Sequence, residues 1–166
     1  MTGYRVGNGF DAHRLVEGRP LWLGGVHIEH PRGLLGHSDG DCLVHAVCDA
    51  LLGAVAAGDM GTHFPSGEAR WKDVSSLAFL HRVAEIVRAG GHDPVQVDAT
   101  VVAEEPVLAP HLPAMRRLLA KTLAVPEGAV SVKAKTTDGL GAVGRGEGIA
   151  AFATALVRAL THRESE

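Results

Sequence analysis

The sequence has 166 residues, 46% hydrophobic and 21% charged, with a formal net charge of -3. That length and apolar content predict one globular domain, 1–166, with its own core, and exclude a disordered chain. The small negative balance excludes a general nucleic-acid or membrane-surface binder, so an anionic ligand would have to be drawn by a few local groups or by metal ions.

Two cysteines, Cys42 and Cys48, stand six apart, a spacing that suits neither a disulfide nor a thiolate metal site; two reduced thiols in a cytoplasmic protein are expected. The opening residues lack a basic-then-apolar signal, and no apolar run reaches membrane-spanning length. With 4% aromatic residues and 21 glycines, the interior must be built from Ala, Val and Leu, a lean core that burial between subunits would supplement.

In chain order, Tyr4 to Leu15 reads as a strand whose Gly7 and Gly9 let something approach the backbone closely. Pro20 to Glu29, around Gly24-Gly25, reads as a hairpin. A loop at 31–40 leads to a helix over roughly 41–57, where Leu43, Ala46, Val47, Ala50, Leu51 and Ala54 form one apolar face and Gly58 ends it. Residues 59–72 form an irregular loop. Asp73 is a candidate N-cap for a second helix with Leu77, Leu80, Val83, Ala84 and Val87 inward, stopped by Gly90-Gly91. Val95 to Ala103 is a strand, 104–111 a Pro-stiffened loop, 112–123 a third helix, and Val130 to Lys135 a strand. The glycine-rich stretch 136–148 is a loop. Ile149 to Leu160 fits either a helix by its alanines or a strand by its position. This order predicts an α+β two-layer sandwich: a four-stranded mixed sheet, helices packed on one face, and a small hairpin.

Asp11 and His13, two apart in a strand, project from the same face. With His45 from the helix flank they offer one carboxylate and two imidazoles, a set suited to Zn²⁺ with a fourth position left open, as in catalytic sites. The spacing alone does not bring His45 to the strand; a solvated strand end and a structural histidine are the alternatives. His37 and Ser38 precede the helix, where Ser38 reads equally as a capping residue for Asp41 or, with His37, as an anion site. Asp41, His45 and Asp49 fall four apart on a flank of the apolar helix face, more ionisable groups than a core helix needs, which marks this as an active-site helix. Lys133 to Asp138 could hold phosphate oxygens and a hard cation, or simply end a strand. No Walker A lysine, nucleophile elbow or Cys–His pairing occurs. Metal ligands and anion holders without a nucleophile point to phosphoryl chemistry in which the substrate attacks itself.

Gly9 to Leu15, Gly36 to Asp41, His45-Ala46, Asp49 to Ala54, Gly58 to Gly61, Pro110-His111, Met115-Arg116, Val132 to Ala134 and Gly144 to Ile149 together resemble, in order and over essentially the whole chain, the 2-C-methyl-D-erythritol 2,4-cyclodiphosphate synthase family. The resemblance implies a homotrimer with active sites between subunits. The implied reaction converts 4-diphosphocytidyl-2-C-methyl-D-erythritol 2-phosphate to the cyclic diphosphate and CMP. By the same resemblance Asp11, His13 and His45 would hold Zn²⁺ and touch the substrate, and Asp138 would reach a second divalent cation, Mg²⁺ or Mn²⁺. His37 and Ser38 would position the 2-phosphate, with His37 and Thr136 steadying the transition state. Asp59, Met60, Gly61, Phe64, Pro65, Ser66 and Glu68 would line the erythritol side. Ala103, Pro106, Leu108, Ala109, Lys135, Thr136, Thr137 and Asp138 would take the cytidine diphosphate portion from a neighbouring subunit. Ala142 and Arg145, with Phe10, would border an axial cavity able to take an isoprenoid diphosphate. The chain departs from the family's usual residues at Ser66, Val107, Lys135, Asp138 and Ala142. The departures at Val107, Asp138 and Ala142 keep one alternative standing, a trimeric metal-bound sensor of isoprenoid diphosphates with weak turnover; a third reading, a zinc hydrolase of another phosphate ester, would need a water-activating base, and no residue stands out as one.

Overall fold

The computed structural model describes residues 3–160. Its strands are β1 (Tyr4–Glu17), β2 (Leu21–Leu23), β3 (Val26–Ile28), β4 (Arg32–Leu34), β5 (His92–Val102), β6 (Val130–Lys135) and β7 (Gly148–Ala159). The helices are α1 (Cys42–Ala54), α2 (Met60–His63), α3 (Ser76–Ala89), α4 (Leu112–Leu123) and α5 (Gly141–Gly144). A five-stranded sheet runs in the order β4-β1-β7-β5-β6, and β2-β3 form the separate hairpin. Only the β5–β6 pairing is parallel, so the sheet is mixed as expected.

The sheet has one strand more than the four expected. β4 lies inside the stretch read as a loop and pairs Leu34, Gly33 and Arg32 with Leu15, Val16 and Glu17. Three residues cannot display an alternating pattern, so this edge carries no periodic signal. Ile149 to Ala159 resolves as strand because β7 is central: β1 pairs with it from Tyr4 opposite Arg158 to Arg14 opposite Gly148, and β5 pairs with its other edge. Ladder bonds on both sides outweigh the helix preference of its alanines. Ile149, Ala151, Ala153, Ala155 and Val157 face the helices and are buried.

Two helix starts also differ from expectation. α1 is capped by Asp41, whose Oδ1 accepts from Val44 N at 3.0 Å, while Ser38 Oγ accepts from Gly40 N at 3.3 Å. The fully buried Asp41 carboxylate also accepts from Gly24 N (2.9 Å) and Gly25 N (2.7 Å), so it ties the β2–β3 turn to the start of α1. α3 begins after Ser75, because Asp73 sits at φ +57°, in the left-handed region, and donates its N–H to His37 O at 3.0 Å. Both thiols, Cys42 and Cys48, are free and buried.

Strand alternation divides β1 between two surfaces. Gly7, Gly9, Asp11 and His13 face the helical layer, whereas Tyr4, Val6 and Phe10 point to the opposite side and remain more than half exposed. Phe152 on β7 lies directly across from Phe10, with ring centroids 4.8 Å apart.

Candidate active site at the junction of β1 and α1

A Cβ on Gly7 would lie 2.1 Å from Ala50 O, and one on Gly9 would lie 2.1 Å from Ala46 O. The two glycines therefore let the α1 backbone rest directly on β1, which is the close approach their positions implied. Asp11 and His13 are the next two residues on that face. With the helix pressed this close, His45, the neighbour of Ala46, reaches them.

Asp11 Oδ2 lies 2.8 Å from His13 Nε2 and 2.9 Å from His45 Nδ1, and the two nitrogens are 3.3 Å apart. The outer nitrogen of each ring is already committed. His13 Nδ1 meets Leu35 O at 2.6 Å, and a carbonyl only accepts, so this nitrogen carries the proton. His45 Nε2 meets Ser76 Oγ at 2.8 Å and Ser38 Oγ at 3.3 Å. In neutral His13 the remaining nitrogen, Nε2, therefore turns a lone pair toward the Asp11 carboxylate, and His45 Nδ1 does the same when the proton of that ring sits on Nε2. Three lone pairs converging in this way repel one another unless a cation sits among them. Bonds of about 2.0–2.1 Å to zinc give a tetrahedral edge of about 3.3 Å, close to the observed separations after a slight opening. Asp11, His13 and His45 are the converging metal-ligand set among the described residues.

The electrostatics agree. Burial opposes charge on Asp11, but hydrogen bonds and attraction from both imidazoles prevail and hold its carboxyl well below the usual carboxylate range. Burial likewise opposes charge on His13, yet the bond to Asp11 raises it above the ordinary imidazole value. A single proton here partly does the work that a metal would do fully.

A cavity of about 350 Å³ opens over the triad, and of the expected residues Asp11, His13, His37, Ser38, His45, Met60, Gly61, Phe64 and Ser66 line it. His37 Nε2 meets Glu68 O at 3.1 Å, so Glu68 contributes its backbone rather than its carboxylate. Asp59 caps α2 by accepting from Thr62 N at 2.8 Å and lines a neighbouring cavity with Phe10 and Phe152. Asp49 borders both cavities and accepts from Met60 N at 2.8 Å, which fixes the start of α2.

The other expected cluster forms its own cavity, of about 290 Å³, lined by Ala103, Pro106, Leu108, Ala109, Lys135 and Thr136. It does not meet the triad within the chain. Ala12, Ala150, Val102 and Lys135 lie in one row across the sheet, so three strand spacings, about 14 Å, separate the two ends. Asp138, at φ +52°, accepts from Thr136 Oγ1 at 3.1 Å and is not part of the converging metal group. Arg145 is paired with Glu147 Oε1 at 2.6 Å, and Ala142 lies in α5 beside it.

Sequence reasoning missed several residues. Ser76 and Asp39 stand behind His45, and Trp71 and Phe79 close one wall of the cavity. Glu104 Oε1 gathers Thr137 N (2.8 Å), Thr137 Oγ1 (3.0 Å) and Gly139 N (3.4 Å), and so shapes the turn that carries Asp138. Glu104 stands 33 residues before Thr137, at the head of the Pro-stiffened loop, so nothing local in the sequence linked it to the glycine-rich turn. For Ser76 there was no signal either.

The family model of the YgbB family matches residues 4–158. A 2-C-methyl-D-erythritol 2,4-cyclodiphosphate synthase of Salinibacter ruber is 58% identical over 154 residues, covering 93% of this chain and 98% of that relative. Among solved structures, the bifunctional IspDF of Campylobacter jejuni superposes with a TM-score of 0.93 at 38% identity; the match covers 96% of this chain but 43% of that longer one. A 2C-methyl-D-erythritol-2,4-cyclodiphosphate synthase in a CDP-bound form gives a TM-score of 0.85 at 38% identity, covering 92% of this chain and 99% of that chain.

Proposed function

Since this chain belongs to the YgbB family, that of the 2-C-methyl-D-erythritol 2,4-cyclodiphosphate synthases, we propose that the cavity over Asp11, His13 and His45 is where its reaction takes place. The protein is an enzyme of isoprenoid precursor biosynthesis, a phosphorus–oxygen lyase that forms the cyclic diphosphate from 4-diphosphocytidyl-2-C-methyl-D-erythritol 2-phosphate and releases CMP. The observation that carries the site assignment is the convergence of Asp11 Oδ2, His13 Nε2 and His45 Nδ1 within 3.3 Å, with both outer ring nitrogens already bonded.

Asp11, His13 and His45 would hold Zn²⁺, and Asp138 a second divalent cation, Mg²⁺ or Mn²⁺. When bound, these ions supply Lewis-acid neutralisation of diphosphate oxygens. The chain's own residues then do the positioning. His37 and Ser38, on the cavity wall beside the triad, orient the substrate's 2-phosphate. That phosphate needs no general base, because its oxygen is already ionised. It forms a bond to the β-phosphorus while the bond from that phosphorus to the CMP oxygen breaks. His37 and Thr136 donate to the oxygens on which charge grows. Met60, Gly61, Phe64, Pro65 and Ser66, with Asp59 and the Glu68 carbonyl, enclose the erythritol. Phe64, Trp71 and Phe79 pack against one another there and exclude water.

Ala103, Pro106, Leu108, Ala109, Lys135, Thr136, Thr137 and Asp138 would receive the cytidine diphosphate of a site completed by another copy. The separation of this cavity from the triad within one chain supports that division, and so does the exposed outer face of the sheet. The assembly would be a homotrimer, working in the cytoplasm; no helix among the described residues is long and apolar enough to cross a membrane. Arg145 would be the anion contact of an axial cavity bordered by Phe10, Phe152 and Ala142. The sensing alternative finds no favouring observation, since the triad and the His37-Ser38 wall are both in place. Incubation with the cytidyl substrate and Mg²⁺ or Mn²⁺ tests the reading: CMP and the cyclic product should appear together. CMP with a ring-opened product, or no CMP, would sink it.

A further inference from the structure

We propose that Ser76 and Asp39 form a hydrogen-bond relay whose function is to fix the tautomer of His45, and thereby to keep the Nδ1 lone pair on the metal position. Neither residue lines the cavity; Asp39 comes from the loop just before α1 and Ser76 from the start of α3, far away in sequence. The proposal rests on the zinc reading of the triad.

The polarity of the relay follows from donors and acceptors alone. Asp39, as a carboxylate, can only accept. Its Oδ2 takes the N–H of Ser76 at 2.7 Å, and its Oδ1 takes the Ser76 hydroxyl proton in a short contact, together with Asp41 N at 3.2 Å. Having given its one proton to Asp39, Ser76 Oγ has only lone pairs left to offer His45 Nε2, 2.8 Å away. His45 must therefore carry its proton on Nε2. Ser76 is fully buried, so no solvent hydrogen bond competes. Among the described residues Ser38 Oγ, 3.3 Å from the same nitrogen, is the only other side-chain partner, and it already accepts from Gly40 N.

The backbone keeps this relay in register. Asp39 N donates to Val74 O at 3.3 Å, and Asp73 N donates to His37 O at 3.0 Å. These two bonds lace the loop before α1 to the entry of α3, so that Asp39 and Ser76 meet. A histidine free to place its proton on Nδ1 would turn a hydrogen toward Asp11 and remove one of three ligand atoms. Partners that orient a ligating imidazole commonly contribute 10- to 100-fold in metal affinity.

Asp39→Asn separates this role from bulk structure, because it keeps the side-chain volume. An amide presents one oxygen where the carboxylate presents two. It cannot accept both the Ser76 N–H and the Ser76 hydroxyl at separate oxygens, which frees that hydroxyl to donate to His45 Nε2. Ser76→Ala removes the relay outright. The ring nitrogens of His45 can be read by ¹⁵N NMR in metal-free protein, at a pH where the ring is neutral, and Zn²⁺ affinity by chelator competition. The expected result is a single Nε2–H tautomer in the parent and a substantial Nδ1–H population in both variants. Zinc affinity should be about 10- to 100-fold weaker in both. An unchanged tautomer, or a changed tautomer with parental zinc affinity, overturns the relay. A parent chain that binds no zinc would instead refute the metal reading, while the tautomer measurement still decides the polarity of the relay.

Discussion

Gly9 packs against Ala46 so tightly that a methyl group on the glycine would lie 2.1 Å from the helix carbonyl oxygen. Backbone cannot swing aside as a long side chain can, so α1 would have to lift from β1. Gly9→Ala should lower stability by about 1–3 kcal/mol, the usual cost of overpacking. It should also draw His45 away from Asp11 and His13. Thermal melts with and without Zn²⁺ check both parts: the variant should melt lower and gain less from zinc than the parent. Equal stabilisation of the two by zinc would mean that the glycine does not set the His45 position.

His45→Ala should lose both zinc retention and turnover. With His45 absent, Asp11 and His13 remain as two ligands, one short of the set used by catalytic zinc. Metal analysis of the dialysed protein, alongside a CMP-release assay, tests the pair. Full zinc occupancy in the variant would count against the triad.

Zinc affinity should fall as pH drops, and His13 rather than Asp11 should set the slope. Asp11 is held ionised far below its ordinary value, whereas His13 is raised above its own and so competes for a proton. The metal-free fold carries the complementary signature. The depressed Asp11 contributes stability above its unfolded value of 3.8, lost as pH falls through the lower folded value. The raised His13 contributes stability in full below its unfolded value of 6.5, lost as pH rises through the higher folded one. Both contributions coincide between about pH 4 and 6.5. Chemical denaturation across pH, with and without chelator, should place the maximum of this contribution in that window only for the metal-free protein.

Asp138→Ala should weaken the dependence on Mg²⁺ or Mn²⁺ while leaving zinc content intact, because Asp138 stands apart from the triad. An Mg²⁺ titration of turnover is the measurement, and an unchanged curve would refute the assignment. Glu104→Gln offers a graded version. Its carboxylate holds the Thr137 and Gly139 amides, so softening it should raise the Mg²⁺ requirement less than Asp138→Ala does.

The elements with sustained periodicity were legible from the chain. The third helix stands at Leu112–Leu123 and the strand at Val130–Lys135, as the pattern indicated. β4 was hidden because three residues hold no period, and β7 was ambiguous because alanine suits either structure until neighbours on both edges decide. The triad was readable as ligand types, and the place of Gly7 and Gly9 already hinted at a close approach. What the sequence concealed was what approached, α1 itself. The Asp39–Ser76 pair was also beyond reach, since its residues are 37 positions apart and meet only through the backbone lacing of Asp73 and Val74. Asp73 looked like a cap because its type favours caps; its left-handed backbone instead makes the corner that permits this lacing.

β1 serves two masters at a spacing of one residue. Its inward residues are Gly9, Asp11 and His13, and Phe10 between them belongs to the outer surface. A single-residue insertion or deletion before Asp11 that kept the pairing with β7 would exchange the two sets: carboxylate and imidazole would face outward, and a phenyl ring would press into α1. Substitutions can therefore drift on either surface independently, but the length of this segment cannot. Laboratory libraries built on the protein should tolerate sequence change along Tyr4 to His13 far better than any change in the number of residues there.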